Sequence, residues 1–208
     1  DHKAGIATYF REYLRLYMTA AKPEKKNYRG WQMQKFYEDS LNWEQDPLFG
    51  WCNKNTKANG ENYNIYTDGL KIYTTIDSRM QTYLEEAVHE HVAEYMQPRF
   101  FKAKKGKKTA PFTNKLSEAE VEKIMVRAMK QSDRYRTMKN SGYSEAGIRK
   151  AFDTPMEMEI FTYDGVKDTV MTPMDSIRYY KYFLRTGVMS MDPHTGAIKA
   201  YVGGTNYY

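Results

Sequence analysis

Val188-Met189-Ser190-Met191-Asp192-Pro193-His194-Thr195-Gly196-Ala197-Ile198-Lys199-Ala200-Tyr201-Val202 is the stretch that decides the fold class. Two apolar runs flank a five-residue connection, 192–196, made of turn formers and closed by Gly196, so the whole reads as an antiparallel hairpin. Gly203-Gly204 follows directly. Upstream, Met158, Ile160 and Thr162 alternate with Glu157, Glu159 and Phe161, and Asp164-Gly165 is expected to turn that strand into residues 166–170. A third hairpin is expected at Asp68-Gly69, between Asn64-Ile65-Tyr66 and Leu70-Lys71-Ile72-Tyr73-Thr74.

Helical patterns fill the intervals. Ile6, Phe10, Tyr13, Leu14 and Tyr17 recur at helical spacing before Pro23, and a short helix near 31–40 is expected to be followed by loop pinned by its aromatic residues. Asp77 reads as an N-cap. Met80, Leu84, Ala87, Val88, His91, Val92 and Tyr95 then trace one face of a long helix that Pro98 is expected to close. Ser117 with Glu120 forms a capping box, Leu116 and Val121 stand at the staple positions, and Ile124, Met125, Ala128 and Met129 continue the buried stripe. Ser144 starts another short helix that ends before Pro155. Thr172-Pro173-Met174-Asp175 starts one whose Ile177, Tyr180 and Leu184 are expected inward, Arg178 and Arg185 outward, with Gly187 at its end. Strands, helices, strands, helix and strands in this order give an α+β fold, several helices with a small antiparallel β-sheet built from hairpins.

Composition bounds what such a fold can do. The chain has 208 residues and is 41% hydrophobic and 15% aromatic, enough for a real core and too apolar for a disordered segment. No apolar run approaches the ~18 residues that a membrane helix needs. The single cysteine, Cys52, excludes an internal disulfide framework and a Cys-rich zinc site. The net charge of +6 is partly local, because Arg99, Lys102, Lys104, Lys105, Lys107 and Lys108 crowd one stretch. That stretch, 99–108, reads as a solvated loop between helices, since no organised basic and aromatic surface of the nucleic-acid-binding kind accompanies it.

The residues spell no active site. The four histidines are His2, His89, His91 and His194, and no motif pairs one with a nucleophile. His89 and His91 diverge on a helical wheel, His91 is expected in the core, and Glu85 with His89 makes only two ligands of a metal site. Glu85/Glu86 and Glu157/Glu159 are expected on solvent faces. Neither G-x-x-x-x-G-K nor G-x-G-x-x-G occurs. The expectation is therefore no catalytic, no cofactor-binding and no metal residues, and no nucleic-acid partner.

Two stretches carry a resemblance. Gly69-Leu70-Lys71-Ile72-Tyr73-Thr74-Thr75-Ile76-Asp77, followed by Arg79-Met80-Gln81, closely resembles the G-L-x-[VI]-x-T-T-[LI]-D-x-x-[LM]-Q segment of class A penicillin-binding proteins, which polymerise and cross-link peptidoglycan. The hairpin 188–204 resembles that family's [AV]-x-[VM]-x-[DN]-P-x-T-G-x-[IV]-x-A-x-[VI]-G-G segment. His2 with residues 7–15 looks like the stretch that leaves the family's glycosyltransferase domain. The resemblance implies that the catalytic S-x-x-K comes after Gly204 and the glycosyltransferase glutamates before residue 1. None of the eight serines has lysine three residues on, no K-[ST]-G occurs, and Ser40-Leu41-Asn42 matches S-x-N only by chance.

On that resemblance the chain divides into a helical and irregular segment 1–62 after the glycosyltransferase domain, linker strands and helix 63–98, inserted helices and hairpin 99–172, and the transpeptidase N-terminal edge 173–208. It implies a non-catalytic interdomain part of a peptidoglycan synthase on the exocytoplasmic, periplasmic side of the cytoplasmic membrane. Peptidoglycan precursors would be met only through the parent's other domains, and the membrane only through the parent's anchor. The insertion, 99–153, is where an envelope regulatory protein would dock. Strands cut from such a sheet are expected to expose unpaired edges. The alternative is a stand-alone cell-envelope scaffold or partner-binding module without enzymatic activity.

Overall fold

The computed structural model describes residues 5–204, so His2 lies outside the described residues. The chain packs as two units, Asp1–Glu86 with Thr186–Tyr208, and Ala87–Arg185. It passes from the first to the second inside a helix and returns after Arg185.

The first unit begins with α1, Thr8–Met18, the amphipathic helix its spacing predicts. The short helix expected near 31–40 is longer, α2 spanning Met33–Gln45 after a 3₁₀ turn at Gly30–Gln32, and a further turn of helix, α3, covers Trp51–Lys54. Aromatic edges hold these pieces. Phe49 lies 4.9 Å from Tyr17 and 6.5 Å from Trp43, both edge-on. Gly50 turns the chain there with φ 71°, its N–H donating to Tyr17 O at 2.8 Å. A Cβ at Gly50 would overlap the Trp43 ring and sit 2.8 Å from Ala20 O, so only glycine fits.

The hairpin expected at Asp68-Gly69 does not form. Residues 65–67 are a turn and 69–74 form no ladder. The reason is local: Asp68 accepts the Asn64 N–H at 2.7 Å and pairs with Lys57 at 3.3 Å, so its carboxylate fastens a compact loop. Tyr73 is 91% exposed. The β-prone residues after Gly69 instead lead toward the last hairpin, β3, Val188–Met191, and β4, Ile198–Val202, which pair antiparallel with a register irregularity at Ser190/Met191.

The second unit holds the end of α4, Ser78–Val88, a π-helical stretch His89–Met96, and α5, Gln97–Lys104. Pro98 therefore does not close the helix, and residues 99–104 of the expected basic loop are helical. Pro98 comes just after the π-helical stretch, where the backbone bonding already departs from the α pattern. The widened turns also shift the apolar face. Val88, Val92 and Ala93 are buried, while Ala87, His91 and Tyr95 are exposed, contrary to the stripe read at a constant helical period.

Helices α6, Glu118–Gln131, α7, Asp133–Asn140, and α8, Glu145–Phe152, follow. The capping box is made as expected, Glu120 accepting the Ser117 N–H at 2.8 Å while Ser117 Oγ accepts the Glu120 N–H at 3.3 Å. Helix α7 was not expected, since its surface is almost wholly polar and only Tyr135 and Met138 reach the core. Strands β1, Met156–Thr162, and β2, Gly165–Met171, pair through a turn at Tyr163-Asp164, one residue earlier than read. Helix α9, Pro173–Lys181, is capped by Thr172 Oγ1, which accepts the Asp175 N–H at 3.0 Å. It ends before Gly187. Tyr180 is exposed, and Arg178 turns in to donate to Ala110 O at 3.1 Å.

The fold is α+β, helices with two small two-stranded antiparallel sheets. The second unit's core gathers Met129, Ile148 and Phe152, against which Val126, Met174 and Ile177 pack. Among the described residues no helix is long and apolar enough to cross a membrane.

Phe152→Ala removes a ring that is 1% exposed and is expected to cost about 3–5 kcal/mol, read as a lower urea midpoint of the second unit. A pH dependence follows in the first unit. Burial and donation to Asp46 at 2.7 Å push the Tyr17 hydroxyl up from 10.0 to about 12. The folded state holds that proton more tightly, so the stabilisation is whole below pH 10.0 and is lost as pH rises through about 12. Tyr17→Phe is expected to flatten that alkaline limb of unfolding free energy against pH.

Candidate functional site

The two motif stretches meet in the first unit. Asp77 opens α4, its Oδ1 accepting the N–H groups of Arg79 at 2.9 Å and Met80 at 3.2 Å. The Met80 N–H, then the Arg79 side chain, hold its carboxyl below the usual range. Asp77 spends its own N–H on Lys199 O at 2.9 Å, and Thr75 Oγ1 donates to Ile198 O at 2.7 Å. The residues just before α4 thus line the side of β4 away from β3.

One turn further, Gln81 is fully buried. Its Oε1 accepts the Tyr201 N–H at 2.8 Å, and its Nε2 donates to Tyr201 O at 2.9 Å and to Glu85 Oε1 at 2.7 Å. A primary amide offers the same donor and acceptor pair as a peptide group, so Gln81 does for Tyr201 what a neighbouring strand would do. Glu85 Oε1 also accepts the Ala7 N–H at 2.6 Å, tying the start of α1 to the same point. Ala7 itself is left-handed, with φ 56°.

The double glycine has a steric cause. A Cβ on Gly203 would lie 2.9 Å from the Tyr9 ring, and one on Gly204 would lie 2.7 Å from its Cζ, so the tyrosine rests on bare backbone. In the hairpin loop, Asp192 Oδ1 accepts the His194 N–H at 2.8 Å, and Gly196, at φ 72°, returns its N–H to Asp192 O at 2.9 Å. The His194 N–H foremost holds the Asp192 carboxyl below its ordinary range.

Among the described residues, the weighed polar side chains form no reactive constellation. Glu85 is half-buried and bonded rather than solvent-facing as expected, while Glu157 and Glu159 are exposed. His89 Nε2 stands 3.6 Å from Glu94, and His91, expected in the core, is exposed and stacks on Tyr95. Ser40 Oγ donates back to Phe36 O at 2.7 Å within α2. Among the described residues no group of three or more His, Cys, Asp or Glu is placed to hold a metal ion. In the basic stretch Arg99 donates to Tyr95 O at 2.8 Å and Lys104 to Phe112 O at 2.6 Å. A cavity of about 410 Å³ in the first unit is walled chiefly by Ile6, Phe10, Leu14, Ile65, Ile72 and Ile76.

A second buried glutamine repeats the device in the second unit. Gln97 is 1% exposed, its Nε2 donating to Tyr182 O at 2.9 Å and its Oε1 accepting the Leu184 N–H at 2.8 Å. Neither glutamine was singled out from the sequence for a role. The available signal was a polar residue in phase with an apolar helical stripe, Gln81 standing before Leu84 and Val88.

Residues 107–184 match the penicillin-binding protein middle domain. That match lies inside the second unit, from the segment after α5 through α9. Comparisons with curated proteins and with solved structures give no match.

Gln81→Leu keeps the volume and strands both polar groups of Tyr201. It is expected to cost about 2–4 kcal/mol in urea unfolding of the first unit, with early loss of amide-exchange protection at Tyr201. Gln97→Leu is expected to do the same to the second unit and to spare Tyr201.

Proposed function

We propose that this chain is the non-catalytic interdomain part of a class A penicillin-binding protein, a peptidoglycan synthase that polymerises glycan strands and cross-links stem peptides on the exocytoplasmic side of the cytoplasmic membrane. The observation that carries the reading is the match of residues 107–184 to the penicillin-binding protein middle domain; the class A assignment rests on the resemblance of the two motif stretches. The meeting of Gly69–Gln81 with Val188–Gly204 supports it, because the stretches that resemble the family's linker and early transpeptidase strands are bonded to each other.

The role is geometric. Asp77 and Gln81 fasten the start of α4 to β4, so the strand pair is held against the helix that leads into the middle domain. The chemistry belongs to the parent's other domains: glycosyl transfer on one side, and acyl transfer from a D-Ala-D-Ala stem peptide through a serine ester on the other. Peptidoglycan precursors are ligands of those domains.

The test is acylation by a labelled penicillin, read as intact mass, on this chain and on a version extended downstream in its reading frame by roughly one domain of ~250 residues. Acylation of the extended chain alone is expected, at a serine of an S-x-x-K. Acylation of the shorter chain, or of neither while both are folded, overturns the reading, and the second result favours a stand-alone envelope scaffold.

A further inference from the structure

Strands β1 and β2 pair only with each other among the described residues, and their two outer edges differ. On β1, Phe161 turns its backbone away from β2 and both groups are satisfied: its N–H meets Tyr180 Oη at 3.1 Å, and its C=O accepts from the Tyr179 hydroxyl at 2.7 Å. Phe161 is opposite Val166, so the same alternation turns the N–H and C=O groups of Val166, Asp168 and Val170 outward from β2. No bond to these outward groups is present among the described residues. Val166 is 61% and Val170 66% exposed.

The side chains of that edge say what fits it. Ile160 is buried and Met158 half-buried on one face of the hairpin, which leaves Glu157, Glu159, Val166, Asp168 and Val170 exposed on the other. Glu159 stands directly opposite Asp168, in a pair of the type that does not exchange ladder bonds and brings side chains closest. Like charges directly opposed destabilise a sheet. No described cation lies within ion-pair distance of Glu157, Glu159 or Asp168. A strand added along β2 would satisfy the open backbone groups. A cation on it opposite Asp168 would neutralise the pair, with apolar residues two positions either side covering Val166 and Val170. A second copy fits poorly, since pairing β2 with itself through these residues lays both acidic rows on one face.

We propose that the outer edge of β2 docks an extended segment of a partner protein in which Lys or Arg is flanked, two residues away on each side, by apolar residues. The inference is independent of the peptidoglycan reading. The probe is a short Thr/Val peptide with a central lysine, and its counterpart with a central glutamate, titrated into the full chain and followed by amide exchange and NMR shifts. The lysine peptide is expected to protect the amides of Val166, Asp168 and Val170 and to bind about fivefold more tightly than the glutamate peptide, as one cross-strand charge pair supplies. Asp168→Lys is expected to reverse that preference, and Glu159→Gln to reduce it with far-UV dichroism unchanged. Equal binding of the two peptides, or binding of neither, overturns the proposal. Protection of the same amides that grows with protein concentration alone also overturns it and assigns the edge to a second copy.

Discussion

The first unit depends on one side-chain amide that stands in for a strand. Gln81 accepts from and donates to the same residue, Tyr201, and does so with no exposed surface. Without it, β4 would present an unpaired N–H and C=O to the flank of a helix, where neither water nor backbone reaches them. With it, the helix and the strand pair are held in one register, because a bidentate contact fixes position along both elements. Glu85 extends the same network to the start of α1, so three segments far apart in sequence converge on a few polar atoms.

Buried amides of this kind fix an arrangement and also protect it. Because the partner is backbone, an apolar side chain in place of Gln81 leaves the Tyr201 N–H and C=O unsatisfied and lets the strand slide. Gln97 repeats the arrangement in the second unit, reading the backbone of Tyr182 and Leu184 beyond α9. The outer edge of β4 is sealed by Thr75, Asp77 and Gln81, whereas among the described residues β2 has no such cover.

Helix starts and hairpins were legible wherever a local rule governs them. Ser117, Ser144 and Thr172 cap helices because their hydroxyls accept from the first turn, and Gly196 turns the last hairpin because it tolerates positive φ. Reading failed where the cause was distant or the period changed. Leu70–Thr74 has strand composition yet forms no hairpin, and the bonds to β4 are made just beyond it, by Thr75 and Asp77, a choice that local propensity does not encode. The π stretch displaced His91 and Tyr95 from the expected buried stripe by altering the turn itself. The motif residues were recognisable as a pattern. What made them necessary, a glutamine acting as a strand and glycines lying under Tyr9, became visible only when residues from both ends of the chain were in place.

The second unit is continuous in sequence, whereas the first is assembled from segments on either side of it. This gives the two a timetable during synthesis. Gln81 leaves the ribosome 120 residues ahead of Tyr201, and at ~5–20 residues per second its partner arrives roughly ten seconds later. The whole of residues 87–185 emerges in that interval and has every contact of its own to fold with, while the amide of Gln81 waits in water. Translation order thus makes the second unit the early folder and the motif junction the closing step, so a nascent chain that has emerged through Arg185 but not through β4 would hold a complete second unit and an incomplete first one.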